Sequence, residues 1–425
     1  MNIQECYAYL NSPAFEELAR RIYGDSDCAV SEARARWTTA VDSFKAIYGD
    51  REGIMLFSTP GRTEIGGNHT DHNNGRVLAA AVNLDTIAVV APNGANTVNF
   101  QSEGFPAYSL SLDCMCPHDD EKFTSRALVR GVAAKLSELG YTVGGFDAYM
   151  TSKVLKGSGL SSSAAFEVLL VTIFDNLFNK GEIAPLKSAQ IAQYAENVFF
   201  GKPCGLMDQT ACAYGGFVAI DFADLANPVA EPVDFDFAHS GYGLVITDTR
   251  GDHANLNDEY ASIRTEMQGV AAHFGKTVLR ECSKEDILKN AAVLRKEYGD
   301  RAILRAMHFF NDNERVSNQR ALLAEGNMQG FLDLVNASGK SSWTMLQNCF
   351  IPGPEQGVTL GLAVSSDFLA GEGACRVHGG GFAGTIQAFV PDAKVEEYCT
   401  AMNALFGEGA AHALFIRPLG TIRLA

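Results

Sequence analysis

The sequence predicts an α+β fold divided between two lobes, and three observations lead there. Single hydrophobic cores stop growing near ~250–300 residues, whereas this chain has 425. Hydrophobic residues make up 47% and charged residues 20%, a globular balance that excludes wholesale disorder. Helical and strand-like segments alternate irregularly rather than as βαβ units, which argues against a plain doubly wound sheet.

Residues 1–50 read as a helical N-terminal extension. EELARRIYG and SEARARWTTAVDSFKAIYG carry spaced apolar positions and end in glycine. From Gly53 the texture changes to buried strands, IMLFSTPGR and then VLAAAV–LDTIAVVAP, separated by the polar stretch GRTEIGGNHTDHNNGR. VNFQSEG and YSLSLD continue as short strands, and SRALVRGVAAKLSELG forms a helix closed by Gly140. GFDAYMTSKVL is a strand running into KGSGLSSSAAFEVLLVTIFDNLFN, read as a glycine turn, a serine N-cap and a largely apolar helix. SAQIAQYAENVFFG is a helix and GGFVAIDFAD a strand. After about residue 235 come a strand, GLVITDT, and a helix, DEYASIRTEMQGVAAHFG, with further helices to about 345. ACRVHGGGFAGTIQAFVP then turns on glycines, and ALFIRPLGTIRL closes the chain. The expected division is an N-terminal lobe over 1–235 and a C-terminal lobe over 236–425. No internal repeat interrupts it.

The charge sum is −16, so a nucleic-acid partner bound through a broad basic surface is not expected. Anionic ligands remain possible in a local pocket of backbone N–H groups and a few cations. None of the ten cysteines shows C-x-x-C spacing, which favours reduced thiols in a cytoplasmic protein. Cys114-Met-Cys116 is half a metal site without a second clustered pair, and reads as structural. No apolar run approaches ~18 residues, and the N-terminus lacks the basic-then-apolar pattern of a leader. The expectation is a cytoplasmic protein with no membrane association, a monomer or weak homo-oligomer.

Two glycine loops and a polar cluster carry the chemistry. Gly157-Ser158-Gly159-Leu160-Ser161-Ser162-Ser163 lies between a strand and a long helix, where close backbone approach and a helix N-terminus make a phosphate cradle. It lacks the Gly-Lys-Ser/Thr of a Walker loop, and Ser162 stands at the third glycine of a dinucleotide fingerprint. An ordinary N-cap with a tight turn explains it equally well. His378 followed by Gly379–Gly381 resembles an esterase oxyanion loop, but the chain has no G-x-S-x-G elbow. Arg62, His69, Asp71 and His72 crowd one stretch, and buried groups of this kind usually serve a site. The H-x-x-H spacing has no third ligand to make a metal centre. Read singly, Asp208 is a helix cap, Glu196 a solvated face and Tyr260 a half-buried aromatic.

Together these segments resemble the GHMP family of sugar and small-metabolite kinases, and within it the galactokinases. PGRTEIGGNHTDHNNGRVL resembles the galactokinase signature, GSGLSSSAAFEV the phosphate loop, GKPCGLMDQ the segment of the catalytic Asp, and RVHGGGFAG the third motif. All four stand in the family's order between residues 59 and 386.

The resemblance implies a two-lobed fold with ATP and sugar in the cleft, and phosphorylation of the anomeric hydroxyl of galactose. Asp208 would be the base, and Arg62 would pair with it and neutralise charge on the transferring phosphoryl. Asn68, His69, Thr70, Asp71, Gly205 and Tyr260 would line the sugar site. Ser102 and Gly157 to Ser163 would bind the nucleotide, and Ser163 with Glu196 would hold Mg²⁺. The chain departs from the pattern at Asn68, where the family has the Glu that reaches toward C6. It departs again at His72, which replaces Tyr, and at His378, Ala383 and Thr385 in the third motif. Asn68 lacks the charge that would repel a carboxylate, so a C6-modified sugar such as galacturonate is the alternative substrate. A sensor that binds sugar and ATP without turnover is the alternative of another class; the complete run Ser161–Ala165 argues against it.

Overall fold

The computed structural model describes residues 1–154, 159–251, 256–382 and 384–425. Three helices open the chain, Ile3–Leu10, Pro13–Tyr23 and Asp27–Tyr48. Asn2 and Glu5 form a capping box on the first, Ser12 caps the second with Pro13 in its first turn, and Ser26 caps the third. Gly24 and Gly49 end the second and third at positive φ.

Strand β1 (Met55–Gly66) and strand β2 (Arg76–Pro92) are antiparallel and form the spine of an eight-stranded sheet. The polar stretch between the two predicted strands is therefore shorter than the sequence suggests, because β1 runs on through Arg62 to Gly66. The two expected strands at 77–92 are one, and its halves have different partners. Arg76–Ala80 pair with β6 (Phe217–Asp221), and Thr86–Pro92 pair with β5 (Phe146–Ser152). Beyond β5 lie β3 (Thr97–Ser102), parallel to it, and β4 (Tyr108–Ser111); β7 (Val229–Val233) extends β6.

The sheet is covered on both faces, which is why its strands read as continuous apolar runs. Leu56, Ile87, Val89, Ala91 and Tyr149 pack with Trp37 and Phe44 of the N-terminal helices. Their alternating neighbours Phe57, Ala88, Val90, Ala148 and Met150 face the other way, into the main core beneath the helices Ser125–Glu138, Ser162–Phe178 and Pro185–Tyr194. The first 50 residues are thus a covering layer.

A second sheet has the order β11-β8-β10-β9 and is wholly antiparallel. Its strands are β8 (Tyr242–Asp248), β9 (Ala374–His378), β10 (Thr385–Pro391) and β11 (Ala411–Leu414). The helices Gly357–Leu369 and Val395–Phe406 pack on it. Strand β12 (Ile422–Arg423) does not stay with them: it pairs with β1, so the end of the described chain returns to the first sheet. One buried carboxylate marks that return. Asp85 of β2 accepts from Tyr23 (2.8 Å), Ser58 and Arg36 (2.5 Å each), and lies 3.4 Å from Arg417. Asp85 and Arg417 are both fully buried.

Candidate active site

Arg62 sits where the β1–β2 register shifts, between Pro60 and Arg62, and such a bulge re-aims a strand side chain. Its guanidinium forks onto Asp208, in the first turn of the helix Met207–Tyr214, with Nε donating to Oδ1 at 2.7 Å and Nη2 to Oδ2 at 2.6 Å. Nη1 donates to the Gly159 carbonyl. Ser161 stands in the left-handed region (φ 56°, ψ 63°) and donates its hydroxyl to Asp208 Oδ2. The expected serine N-cap is therefore corrected: Ser161 precedes the helix Ser162–Phe178, makes no side-chain cap bond, and gives its hydroxyl to the acid instead. Burial pushes the Asp208 carboxyl up, but Arg62 and the Ser161 hydroxyl outweigh it and hold the group below the usual carboxylate range. Asp208 is ionised at neutral pH.

Gly157 and Ser158 lie outside the described residues. The rest of the loop is fastened to β1, since Arg62 N donates to the Leu160 carbonyl at 3.0 Å. Gly159 has φ +73°, and a Cβ there would meet His378 Nδ1 at 3.1 Å and Thr385 Oγ1 at 3.3 Å. Only glycine meets both demands without strain. Ser162 and Ser163 form the first turn of the following helix, whose early N–H groups are free of helical partners. Ser102 ends β3 opposite Met150 of β5, the strand that leads into this loop. No contact among the described residues joins Ser102 to Arg62 or Asp208.

Glu196 lies in a π-helical turn, Ala195–Phe200, that continues the helix Pro185–Tyr194. It is 2% exposed, so the solvated-face reading is corrected. Ser163 Oγ donates to Glu196 Oε1 at 3.4 Å, and Gln209 Nε2 donates to Glu196 Oε2 at 2.9 Å and to Glu167 Oε2 at 3.0 Å. Burial and the neighbouring Glu196 charge raise the Glu167 carboxyl well above its usual range, and its Oε1 is buried without a hydrogen-bond partner. A serine hydroxyl, a carboxylate and an orphaned carboxyl oxygen form the hard-oxygen donor set that suits a magnesium ion.

The signature residues divide into two groups. His69, at φ 57°, and Asp71 are partly exposed. His69 Nε2 lies 3.0 Å from the Gly380 carbonyl. A carbonyl can only accept, so Nε2 carries the proton and Nδ1 is left as an acceptor. Burial and the nearby His72 lower the His69 pKa to about 4, so the ring is neutral. A Cβ at Gly205 would stand 2.7 Å from Asp71 Oδ2, so glycine is what lets the acid fit there. Tyr260 donates to the Gly381 carbonyl at 3.0 Å and packs edge-on to Phe382, placing it on the same glycine loop as His69.

Asn68 and Thr70 face inward and are fully buried. Asn68 Nδ2 donates to Glu64 (2.9 Å) and the Gly379 carbonyl (2.8 Å); its Oδ1 accepts from Asn348 (2.8 Å) and Ser342 (3.2 Å). Its hydrogen-bonding capacity is fully used within the protein. The Thr70 hydroxyl lies 2.8 Å and 2.6 Å from the carbonyls of Gly67 and Arg76. Asp312 holds the loop from below, accepting from Gly67 N at 3.2 Å and Asn68 N at 3.0 Å. Sequence reading missed Asp312, Asn348 and Glu167. Asp312 partners the Gly67 and Asn68 amides and Asn348 the Asn68 side chain, more than 240 residues away in sequence, and Glu167 is an acid in a largely apolar helix.

His378, the departure in the third motif, is buried between Thr63 (Nε2, 3.0 Å) and Thr385 (Nδ1, 2.9 Å), and so links β1 of the first sheet to the β9–β10 turn of the second. Burial and the Arg62 charge lower its pKa to about 3. The unfolded ring titrates near ~6.5, so between those values the unfolded chain holds a proton that the folded chain lacks. That proton lowers stability as pH falls through the window. Replacing His378 with Gln removes it, and we expect the wild type to lose about 1.4 kcal/mol more stability per pH unit than the variant between pH 6 and 4. Urea midpoints across that range measure the difference; parallel slopes would contradict it.

Known proteins resemble the chain over most of its length. A family profile described as the galactokinase galactose-binding signature matches residues 42–92, and one described as the GHMP kinases N terminal domain matches residues 127–216. A galactokinase of Streptomyces coelicolor is 32% identical over 377 residues, covering 87% of this chain and 92% of its own length. The chain belongs to the galactokinase family. A second galactokinase, from Clostridium tetani, is 30% identical over 83% of this chain and 88% of its own. The crystal structure of Lactococcus lactis galactokinase complexed with galactose superposes with a TM-score of 0.76 at 26% identity, covering 90% of this chain and 98% of the other. A Methanococcus jannaschii mevalonate kinase shares the fold alone, with a TM-score of 0.60 at 14% identity over 86% of this chain and 99% of that one. The expected α+β GHMP-kinase fold is the fold observed. No helix among the described residues is long and apolar enough to cross a membrane.

Proposed function

We propose that the protein transfers the γ-phosphoryl group of ATP to the anomeric hydroxyl of galactose. The observation that carries this reading is the Arg62–Asp208 fork, closed by Ser161 at the mouth of the glycine-serine loop. Phosphoryl transfer is mainly alignment and charge stabilisation. Asp208, ionised, accepts the proton of the attacking hydroxyl. Arg62 keeps that carboxylate oriented and offsets charge that builds on the transferring group. The N–H groups at the start of the helix Ser162–Phe178 receive the phosphates; the family resemblance assigns the same role to Gly157 and Ser158, and a place near the nucleotide to Ser102. Ser163 and Glu196 would hold Mg²⁺, which supplies charge neutralisation between the phosphates when bound.

For the sugar, His69 offers Nδ1 as an acceptor, Asp71 a carboxylate beside Gly205, and Tyr260 an aromatic wall. Asn68 and Thr70 support this loop from within rather than reach the sugar, which revises the role the resemblance implied for them. Mispaired buried groups are costly, so His69 and Asp71 carry the discrimination among hydroxyl patterns. The division into an N-terminal lobe over 1–235 and a C-terminal lobe over 236–425 gives each lobe one sheet, with β12 returning from the second lobe to the first. Ten unbonded thiols suit a reducing compartment such as the cytoplasm.

The test is a sugar panel with ATP and Mg²⁺. Galactose should be the sugar with the highest kcat/KM, giving ADP and galactose 1-phosphate in equal amounts. A preference for galacturonate of more than ~10-fold, about 1.4 kcal/mol in the transition state, would displace galactose. No ATP consumption with any sugar would end the enzyme reading.

A further inference from the structure

Far from the Arg62–Asp208 pair in sequence, the loop after β4 carries Cys114, Cys116 and His118 at alternate positions. The sequence reading sought a second cysteine pair and found none; the folded loop supplies a histidine instead. Cys114 Sγ lies 3.6 Å and Cys116 Sγ 3.9 Å from His118 Nε2, and the two sulfurs are 2.7 Å apart. All three donor atoms fall within 4.8 Å of one another, on the surface. Met115, between the two cysteines, takes the other side and packs against the main core.

The loop is held in this shape from outside the cluster. Arg130, on the helix Ser125–Glu138, donates to the Cys114 carbonyl and pairs through two 2.7 Å contacts with Glu121. Asp113 is fixed by Ser111 and Asn96, both at 2.7 Å. Three ligands therefore converge on anchored backbone, where a flexible loop would have to order itself to bind.

We propose that Cys114, Cys116 and His118 form a binding site for a borderline-soft divalent cation of the zinc type, separate from the magnesium chemistry of the cleft. Two thiolates and one imidazole select zinc-like ions over magnesium or calcium, which prefer oxygen. Bonds of about 2.3 Å to sulfur and 2.0 Å to nitrogen at a tetrahedral ion set S···N near ~3.6 Å and S···S near ~3.8 Å. The Cys114 S···N distance already matches and that of Cys116 is about 0.3 Å long; the sulfurs part by about 1 Å on binding, as the thiols lose their protons. The fourth position is open to water on the exposed side.

The experiment uses the full chain, reduced and stripped with a chelator, with Co²⁺ as the spectroscopic probe and Zn²⁺ as competitor. One Co²⁺ per chain should bind with a thiolate-to-cobalt absorption band in the near ultraviolet, and Zn²⁺ should abolish the band. Cys114→Ser combined with Cys116→Ser should weaken binding by more than ~100-fold, His118→Ala by ~10-fold or more, and Cys28→Ser not at all. The three cysteines are exposed and His118 partly exposed, and equal melting temperatures of the metal-free variants establish folding. A band that survives the double variant, a wild type without one, or a Cys114–Cys116 disulfide that persists under reductant would each overturn the proposal.

Discussion

Asp208→Asn is expected to lower kcat by ~10²–10⁴, with KM for galactose changed only a few-fold. The carboxylate is the ionised acceptor closest to the loop mouth, with both oxygens engaged by Arg62 and Ser161. Asparagine keeps the shape but cannot take the proton. It also leaves Arg62, whose side chain is only 9% exposed, without its counter-charge. The variant should therefore lose stability as well as rate, and the two losses are separable. Single-turnover assays at a temperature well below the variant's melting point report the chemical step, and denaturant unfolding reports the pair. Arg62→Met in the Asp208→Asn background should restore part of the stability while leaving the rate low. A folded Asp208→Asn protein with unchanged kcat would remove Asp208 from the chemistry.

The second large effect lies away from the cleft. Asp85→Ala is expected to cost about 3–5 kcal/mol, because it strands buried positive charge. Arg417 is fully buried and the Arg36 side chain only 12% exposed, and Asp85 faces both, together with Ser58 and Tyr23. Burial pushes the Asp85 carboxyl up, but the two guanidiniums pull it below the usual range, so it is ionised in the folded protein. The residues it joins come from two N-terminal helices, both spine strands and the returning C-terminal segment. Urea unfolding should show the full loss, with KM for galactose in the surviving folded fraction unchanged. A loss below about 1 kcal/mol would mean that water or rearrangement compensates the arginines.

The candidate site was legible in the sequence to the extent that its parts are contiguous. The run from Gly159 to Ser163, the dipeptide Gly61-Arg62 and Asp208 stand in motifs whose spacing is fixed by strand, turn and helix. Even there the hydroxyl of Ser161 was assigned to a cap, because local hydrogen bonding is what sequence shows, and its real partner is 47 residues away. Asn68 was read through the family's C6 contact, yet its partners Ser342 and Asn348 lie 274 and 280 residues on. Nothing local marks such a network. Glu196 looked like a surface acid because a helical pattern records a residue's face, whereas the π-helical turn Ala195–Phe200 changes that face. The length of β2 was hidden for a related reason: burial on both sides removes the alternation that marks where one pairing ends and another begins.

The return of β12 to β1 has a consequence for how the molecule is made. Leu424 N donates to the Leu56 carbonyl at 2.7 Å, and Arg423 is the register partner of Phe57. Closing that ladder joins positions 366 residues apart (423 − 57), a loop whose entropy must be spent before the pairing returns anything. On the ribosome, β1 emerges well before β12 and must wait for the whole segment between them. Until then its outer edge is an unpaired row of N–H and C=O groups, open to other chains. Synthesis of this protein therefore carries its aggregation hazard late, in a nascent chain whose first sheet is built but unsealed. Slowing translation between the codons for β11 and those for β12 should lengthen that exposure and raise the demand for chaperones.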